Sequence, residues 1–272
     1  MKIAFIGGGN MAAALIAGLA GKVAEGADIH VVDPNGEALG RLQAEFGVTG
    51  ADVIDADVVI ADVLVLAVKP QQLRAVAAGL APLLARGAPL IVSIAAGIRA
   101  ADLARWLGGY GAIVRCMPNT PALIGQGITG MVALAGVTQA QKDAADAVLA
   151  AVGKTVWLED EALIDPVTAV SGSGPAYVFY FIEAMQQAAE ELGLTAAQGR
   201  ELAIATFTGA AQLAAQSQET VAVLRERVTS KGGTTHAALA SMQEAGVREA
   251  IVAAVKAAAA RGRELGEELG KD

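Results

Sequence analysis

The stretch from Lys2 to Ala12, KIAFIGGGNMA, sets the fold of the first half of the chain. Residues 2–6 form a compact apolar segment typical of a buried β-strand, and a helical pattern follows at residues 10–19. The turn between them fits G-x-G-x-x-A, in which Gly7 allows a tight turn, Gly9 leaves room for a pyrophosphate and Ala12 keeps the helix close to the sheet. The amino end of the helix would face the anion. The pattern predicts a dinucleotide site; a glycine-rich turn with a folding role alone is the alternative.

A carboxylate follows the second predicted strand, residues 29–32, at Asp33. Its distance from the glycine turn, roughly 20 residues, is the one expected for a group that binds the ribose of a dinucleotide. A carboxylate there accepts hydrogen bonds from both ribose hydroxyls but repels a 2′-phosphate, which favours NADH over NADPH. Arg41 could compensate only by reaching back from the next helix. A surface Asp that caps that helix is the alternative interpretation.

Apolar runs and helical patterns alternate through residues 1–159, which we expect to form one dinucleotide-binding domain. A polar helix is predicted at residues 36–46. Nearly continuous apolar strands joined by helices indicate a parallel sheet covered on both faces, a doubly wound α/β domain of Rossmann type. The later strands are predicted near Val48 and at residues 63–68, 90–94, 113–116, 130–134 and 155–158.

Residues 160–272 have the pattern of an all-helical domain for substrate binding and dimerisation, and the acidic run Glu159-Asp160-Glu161 marks the boundary. Thr195 and Gln198 have the spacing of a capping box. Helices are predicted at residues 175–192, 219–228, 236–244 and 247–269. Many of their positions are Ala, and helices that are apolar over much of their circumference must be buried, so this half is expected to need a partner subunit.

Composition excludes several classes of function. The net charge of −8 and the pI near 4.9 argue against a nucleic-acid partner. A single cysteine cannot form an intramolecular disulfide, and two histidines with one cysteine are too few for a Cys/His zinc site. Carboxylate metal sites stay open on composition, but no metal-binding residues are predicted. The mean hydropathy of +0.48 comes largely from 61 Ala and 32 Gly. Glycines interrupt the uncharged residues 3–21, which favours a soluble, cytoplasmic protein over a signal peptide or membrane span.

Six motifs in order along the chain resemble those of the pyrroline-5-carboxylate reductase family, and the resemblance covers essentially the whole sequence. They are Gly7-Gly8-Gly9-Asn10-Met11, Ala67-Val68-Lys69-Pro70, Ser93-Ile94-Ala95-Ala96-Gly97, Met117-Pro118-Asn119-Thr120-Pro121, Ser171-Gly172-Ser173-Gly174-Pro175-Ala176-Tyr177 and Thr229-Ser230-Lys231-Gly232-Gly233-Thr234-Thr235.

The resemblance implies a reductase that transfers hydride from NADPH or NADH to the C=N carbon of 1-pyrroline-5-carboxylate, giving L-proline in the last step of proline biosynthesis. It also implies helical domains exchanged between the subunits of a homo-oligomer. Together with the glycine fingerprint it predicts a set of residues that bind NADP(H) or NAD(H). They are Ile6, Gly7, Gly8, Gly9, Asn10, Met11, Asp33, Ala67, Val68, Lys69, Pro70, Ala95, Ala96 and Asn119.

By the same resemblance, residues 230–235 bind the substrate carboxylate, and the Thr235 hydroxyl is the catalytic group nearest the substrate nitrogen. The binding residues are Ser230, Gly232, Gly233, Thr234 and Thr235. Such a small-residue loop, opening a helix near His236, offers backbone N–H groups and hydroxyls to an anion.

Several alternative interpretations of the helical half and of its function stay open. The loop could be an ordinary turn between helices. Lys231 stands where the family more often has Pro, and it either adds charge or points to solvent. His236 is a possible acid but is favoured as a structural residue. Two other functions compete with the implied reductase activity. The first is a different NAD(P)-dependent oxidoreductase that acts on another imine or on a 3-hydroxyacid. The second is a regulator that senses the cofactor and has no catalytic activity.

Overall fold

The computed structural model describes residues Met1–Lys271, and its central feature is an eight-stranded sheet in the order β3-β2-β1-β4-β5-β6-β7-β8. Neighbouring strands run parallel except β6 and β7, which are antiparallel. The chain leaves β1 toward one edge and returns at β4 toward the other, so the topological switch lies between β1 and β4. The strands are β1 Ile3–Ile6, β2 Ile29–Val32, β3 Thr49–Ala51, β4 Val63–Leu66, β5 Leu90–Ser93, β6 Ile113–Met117, β7 Gly127–Ala133 and β8 Gly153–Trp157.

Helices cover both faces of this sheet, which confirms the doubly wound α/β class. Their bounds are α1 Asn10–Leu19, α2 Gly36–Phe46, α3 Pro70–Leu80, α4 Ala100–Trp106, α5 Gln139–Ala150 and the short α6 Ile164–Val167. Successive residues of a strand point to opposite faces. Ile3 and Phe5 of β1 therefore pack in the core under α1 and α5, while Ala4 and Ile6 pack in the core under α3 and α4.

The antiparallel pairing of β6 with β7 differs from the expected all-parallel sheet. No α-helix lies between these two strands. A 3₁₀ turn at Thr120–Ile124 joins them, which is too short for the crossover that a parallel connection needs. β7 also begins at Gly127, before the predicted residue 130, because residues 127–131 pair with β8.

The remaining helices are α7 Gly174–Glu191, α8 Ala196–Gln216, α9 Val221–Arg227, α10 Thr234–Glu244 and α11 Val247–Leu269. The predicted capping box is present: Gln198 N donates to Thr195 Oγ1 at 3.2 Å, and Thr195 N donates to Gln198 Oε1 at 2.9 Å. Within Gly174–Ala257 only Gly199 and Ala203 are buried, and apolar side chains line the exposed helix faces. Among the described residues, no helix is both long and apolar enough to cross a membrane.

The chain divides into two compact units. One comprises Met1–Ser173 and the stretch that begins at Ala258, and the other is Gly174–Ala257. The division after Ser173 falls later than the predicted boundary at residues 159/160, because α6 packs on β6 and β7. The end of α11 likewise belongs with the sheet unit. The domain limits 1–159 and 160–272 stay a prediction.

Candidate active site

The turn between β1 and α1 is shaped by two glycines with different requirements. Gly7 has φ +100°, and a Cβ atom there would lie 2.7 Å from the Ala67 carbonyl oxygen. Gly9 is the N-cap of α1, no side chain caps this helix end, and a Cβ on Gly9 would meet nothing within 4 Å. Gly9 and Asn10 are both exposed. The first turn of α1 therefore presents backbone N–H groups to open space, as a pyrophosphate site requires.

Asp33 is bound to this turn. Its Oδ2 accepts a hydrogen bond from Gly8 N at 2.6 Å, and its Oδ1 accepts one from Asn35 N at 2.8 Å. The cap of α2 is not Asp33 but Asn35, whose Oδ1 accepts from Glu37 N and Ala38 N. The carboxylate is thus held beside the glycine turn, at the carboxyl end of β2, where it can meet a ribose.

The segments after β4 and β5 reach the same edge of the sheet. Ala67 N donates to Ile6 O at 2.8 Å, and the backbone of Ala67 and Val68 packs directly on Gly7. Lys69 is exposed at the N-cap of α3, and Pro70 is the first residue of that helix. After β5, Ala95 is buried and Ala96 is exposed. The structure therefore brings most of the predicted cofactor residues together at the switch point, and their binding roles stay predictions.

Asn119 lies at the same sheet edge but is engaged within the protein. It is 9% exposed; its Nδ2 donates to Ser171 O at 3.3 Å, and its Oδ1 accepts from Ile128 N at 3.0 Å. The Asn119 side chain therefore connects the motif at residues 117–121 with the motif at residues 171–177. A direct contact of Asn119 with the cofactor stays a prediction.

Ser171, the partner of Asn119, lies in a π-helix, Thr168–Gly172, which the sequence did not predict. Ser173 N donates to Thr168 O at 2.8 Å, the spacing of a π-turn. A Cβ on Gly172 would come 2.6 Å from the methyl group of Met117. π-Turns inside helices are frequent at functional sites. The run of Ser and Gly from Ser171 to Gly174 was the signal that could have indicated an irregular helix.

The sequence marks Glu161 only as part of a domain boundary, but in the structure it connects three elements. Its Oε1 accepts from Arg115 Nη1 at 2.7 Å and from Ala100 N, at the start of α4, at 2.7 Å. Arg115 is 5% exposed, so this ion pair is largely shielded from solvent. It fixes the start of the helix that follows the Ala95 and Ala96 segment.

Cys116 follows Arg115 on β6 and is buried in the apolar core, and burial raises the pKa of its thiol. At neutral pH the thiol is therefore protonated, which is the unreactive form.

The predicted substrate turn lies in the second unit, between α9 and α10. Gly233 N donates to Ser230 O at 3.0 Å, and Gly232 has φ +75°. α10 begins at Thr234, two residues before the predicted start near His236, so Thr234 and Thr235 are the first residues of the helix. The loop expected to continue through residue 235 is shorter because Gly233 serves as the N-cap.

No side chain caps α10, so the N–H groups of its first turn remain available to an anion, and the helix dipole favours one there. Thr235 is half-buried, whereas Ser230, Lys231, Thr234 and His236 are exposed.

Comparison with known proteins identifies the family. The chain is 49% identical over 270 residues to a pyrroline-5-carboxylate reductase of Pseudomonas aeruginosa, covering 99% of this chain and 98% of the relative. The chain belongs to the pyrroline-5-carboxylate reductase family. Another reductase of this name, from Haemophilus influenzae, is 40% identical over 97% of both chains.

Family profiles and solved structures agree with this membership. The profile for pyrroline-5-carboxylate reductase dimerisation matches residues 161–265, and the profile for the coenzyme F420-dependent NADP oxidoreductases matches residues 2–97. A pyrroline-5-carboxylate reductase from Coxiella burnetii superposes with a TM-score of 0.91 at 38% identity, covering 97% of this chain and 98% of its own. The pyrroline carboxylate reductase from Plasmodium falciparum, solved with NADP bound, gives a TM-score of 0.86 at 27% identity and covers 98% of both chains.

Gly7 and Gly9 of the β1–α1 turn are expected to have different roles, Gly7 in folding and Gly9 in binding. Gly7→Ala should lower the free energy of unfolding by at least about 2 kcal/mol, because it combines a positive φ with a clash against backbone. Gly9→Ala should cost less than about 1 kcal/mol, because its Cβ meets nothing and only the cap preference is lost. Urea unfolding followed by circular dichroism measures both. Equal losses for the two variants would contradict this assignment.

Proposed function

We propose that this chain reduces 1-pyrroline-5-carboxylate to L-proline with hydride from NADPH or NADH, the last step of proline biosynthesis. The observation that carries the proposal is 49% identity, over 99% of the chain, to a relative named pyrroline-5-carboxylate reductase. This agreement favours the imine acid over a 3-hydroxyacid or another imine as substrate.

The sheet unit has the features that a dinucleotide needs. The open first turn of α1 would bind the pyrophosphate through backbone N–H groups, and Asp33 would accept hydrogen bonds from the ribose. Ala67–Pro70 and Ala95–Ala96 would line the path toward the nicotinamide. When bound, the reduced nicotinamide supplies the hydride. The contribution of the protein is to orient it and to exclude water.

The turn at the start of α10 would bind the small cyclic acid. The carboxylate of this acid would be bound by the uncapped N–H groups of Thr234 and Thr235 and stabilised by the helix dipole. Hydride adds to the C=N carbon, the π electrons move to nitrogen, and a proton on nitrogen completes the secondary amine. Because a cyclic imine is basic enough to arrive partly protonated, the site needs no strong acid. The Thr235 hydroxyl would orient the nitrogen by a hydrogen bond, and exposed His236 has no required role.

We also propose a homo-oligomer located in the cytoplasm. The dimerisation profile matches the helical half, and large apolar side chains of α7 and α8 face solvent in a single chain. Phe179 is 60% exposed and Leu202 57% exposed. Burying such side chains against a second copy is favourable by about 1.5–3 kcal/mol for each one fully covered.

The catalytic assignment is tested by Thr235→Ala with Thr235→Ser as the matched control. At saturating imine, kcat of Thr235→Ala should fall about 100-fold, because the hydroxyl that orients the nitrogen is lost. Thr235→Ser keeps the hydroxyl and should stay within about fivefold of the unmutated enzyme, and the dissociation constant for NADPH should not change in either. Near-normal turnover of Thr235→Ala would remove Thr235 from the mechanism. NADPH binding by the unmutated protein without oxidation on adding the imine would contradict the reductase activity itself.

Choice of cofactor is tested at Asp33. Asp33→Asn removes a negative charge beside the proposed ribose site. The ratio of KM for NADPH to KM for NADH should therefore fall about threefold, an effect of under 1 kcal/mol at this partly exposed site. Asp62→Asn is the control, since Asp62 precedes β4 at the opposite edge of the sheet and binds Lys2 N. A general disturbance of the glycine turn would change both KM values alike, so it cancels in their ratio. A ratio that is the same in both variants would show that Asp33 does not discriminate between the cofactors.

Assembly is tested by charge placed on the exposed apolar face. Leu202→Asp should increase the elution volume in gel filtration at micromolar concentration, because a buried unpaired carboxylate opposes association. Ile60→Asp places the same charge at a 57% exposed position of the sheet unit and should leave the elution volume unchanged. A monomeric elution volume for the unmutated protein would contradict the proposed oligomer.

A further inference from the structure

The end of α11 presents a glycine face to the sheet unit. Gly262, Gly266 and Gly270 are spaced four residues apart, which places them on one side of the helix. A Cβ on Gly262 would lie 3.6 Å from Asp165 Oδ1. A Cβ on Gly266 would lie 3.3 Å from Arg99 Nε and 3.4 Å from the Gly97 carbonyl oxygen. The helix can approach this closely because Gly262 and Gly266 have no Cβ atoms at the contact. We call residues 262–271 the C-terminal turns.

The segment that they contact is the loop after β5, residues 94–99, which contains Ala95 and Ala96. Gly97 in this loop has φ +76°, and its Cβ would lie 3.3 Å from Leu269 Cδ1 and 3.5 Å from Leu265 Cβ. Leu269 also packs against the buried cluster that includes Ile98. Loop and helix therefore meet through a glycine on each side, with Leu269 filling the space between them.

Polar contacts hold the C-terminal turns in this position. Arg105 donates to Gly270 O at 2.8 Å and also pairs with Asp102 at 2.8 Å. Arg99 lies 3.6 Å from Glu267, and Arg74 donates to Lys271 O at 3.4 Å. Cations at the carboxyl end of a helix satisfy carbonyl groups that have no partner within the helix. Three arginines around the loop thus bind one helix end.

The end of the loop is also held by Glu161, which accepts from Ala100 N, directly after the loop, and from Arg115. The exposed backbone near Ala96 is therefore supported by the C-terminal turns and by the Glu161 ion pair.

We infer that the C-terminal turns are a positioning element for the dinucleotide: by packing Leu269 and Gly266 against Gly97, they hold the loop at residues 94–99 in the conformation that binds the cofactor. This inference rests on the proposed function, because that function places the dinucleotide at this sheet edge. Leu269 and Gly266 act through the loop and are not catalytic residues. Their effect should fall on cofactor affinity and not on the chemical step.

The experiment measures the dissociation constant for NADPH by its fluorescence, together with kcat and the KM for the imine, in four variants. Leu269→Ala removes the contact with Gly97, and Leu269→Met restores most of its volume. Gly266→Leu forces the helix away from Gly97 and Arg99. Gly79→Leu is the matched control, since Gly79 is exposed on α3 and a Cβ there would meet nothing within 4 Å.

For Leu269→Ala we expect the dissociation constant to rise about fivefold or more, and for Gly266→Leu by a larger factor, in the range typical of coupling between a site and a distant contact. Leu269→Met and Gly79→Leu should stay within about twofold of the unmutated protein, as should kcat and the KM for the imine in all four variants.

Unchanged NADPH affinity in both Leu269→Ala and Gly266→Leu would overturn the inference. So would a fall in kcat with affinity intact, or a loss of affinity for imine and NADPH in equal proportion, since a general loss of stability predicts the latter. Failure of the proposed function would appear differently, as an unmutated protein that binds NADPH but does not oxidise it with the imine. The comparison of dissociation constants between variants does not depend on turnover.

Discussion

The close approach of the Gly7 turn to the backbone of Ala67 and Val68 is the constraint on which the site depends. A side chain at position 7 would overlap the Ala67 carbonyl. The turn after β1 can therefore lie against the segment after β4 only if residue 7 is glycine. From that contact follow the open amino end of α1, the hydrogen bond from Gly8 to Asp33 and the placement of the segment after β4. Glycine thus has a steric role at position 7, whereas at position 9 the space beyond it is what matters.

Local signals in the sequence were sufficient for much of this fold. α1, α2, α11 and β2 have the predicted bounds, because glycine turns, a cap and amphipathic spacing mark them within a few residues. The Thr195–Gln198 box is also local. Six motifs in the same order together indicated the family, because they are more specific than any single fingerprint.

Most of the features that were not predicted depend on contacts between distant segments or on small local shifts. The direction of β7 depends on the lack of a helix after β6, and the π-turn before Ser173 on packing against Met117 and Asn119. α10 begins at Thr234 because a glycine cap leaves two threonines helical, a shift smaller than propensity can resolve. The end of α11 associates with the sheet unit through three glycines, and their role becomes clear only from their neighbours in the fold: Asp165 at Gly262, Gly97 and Arg99 at Gly266, and Asp102 at Gly270.

The scarcity of buried residues in the helices from Gly174 to Ala257 has a consequence for how this protein responds to dilution. Two buried positions, Gly199 and Ala203, contribute almost no apolar area to an isolated subunit. If association provides the missing core, as proposed above, the free energy that holds these helices together depends on the concentration of subunits. The melting temperature of the protein would then rise with protein concentration, by mass action. In a highly diluted sample the helices would unfold before the sheet unit.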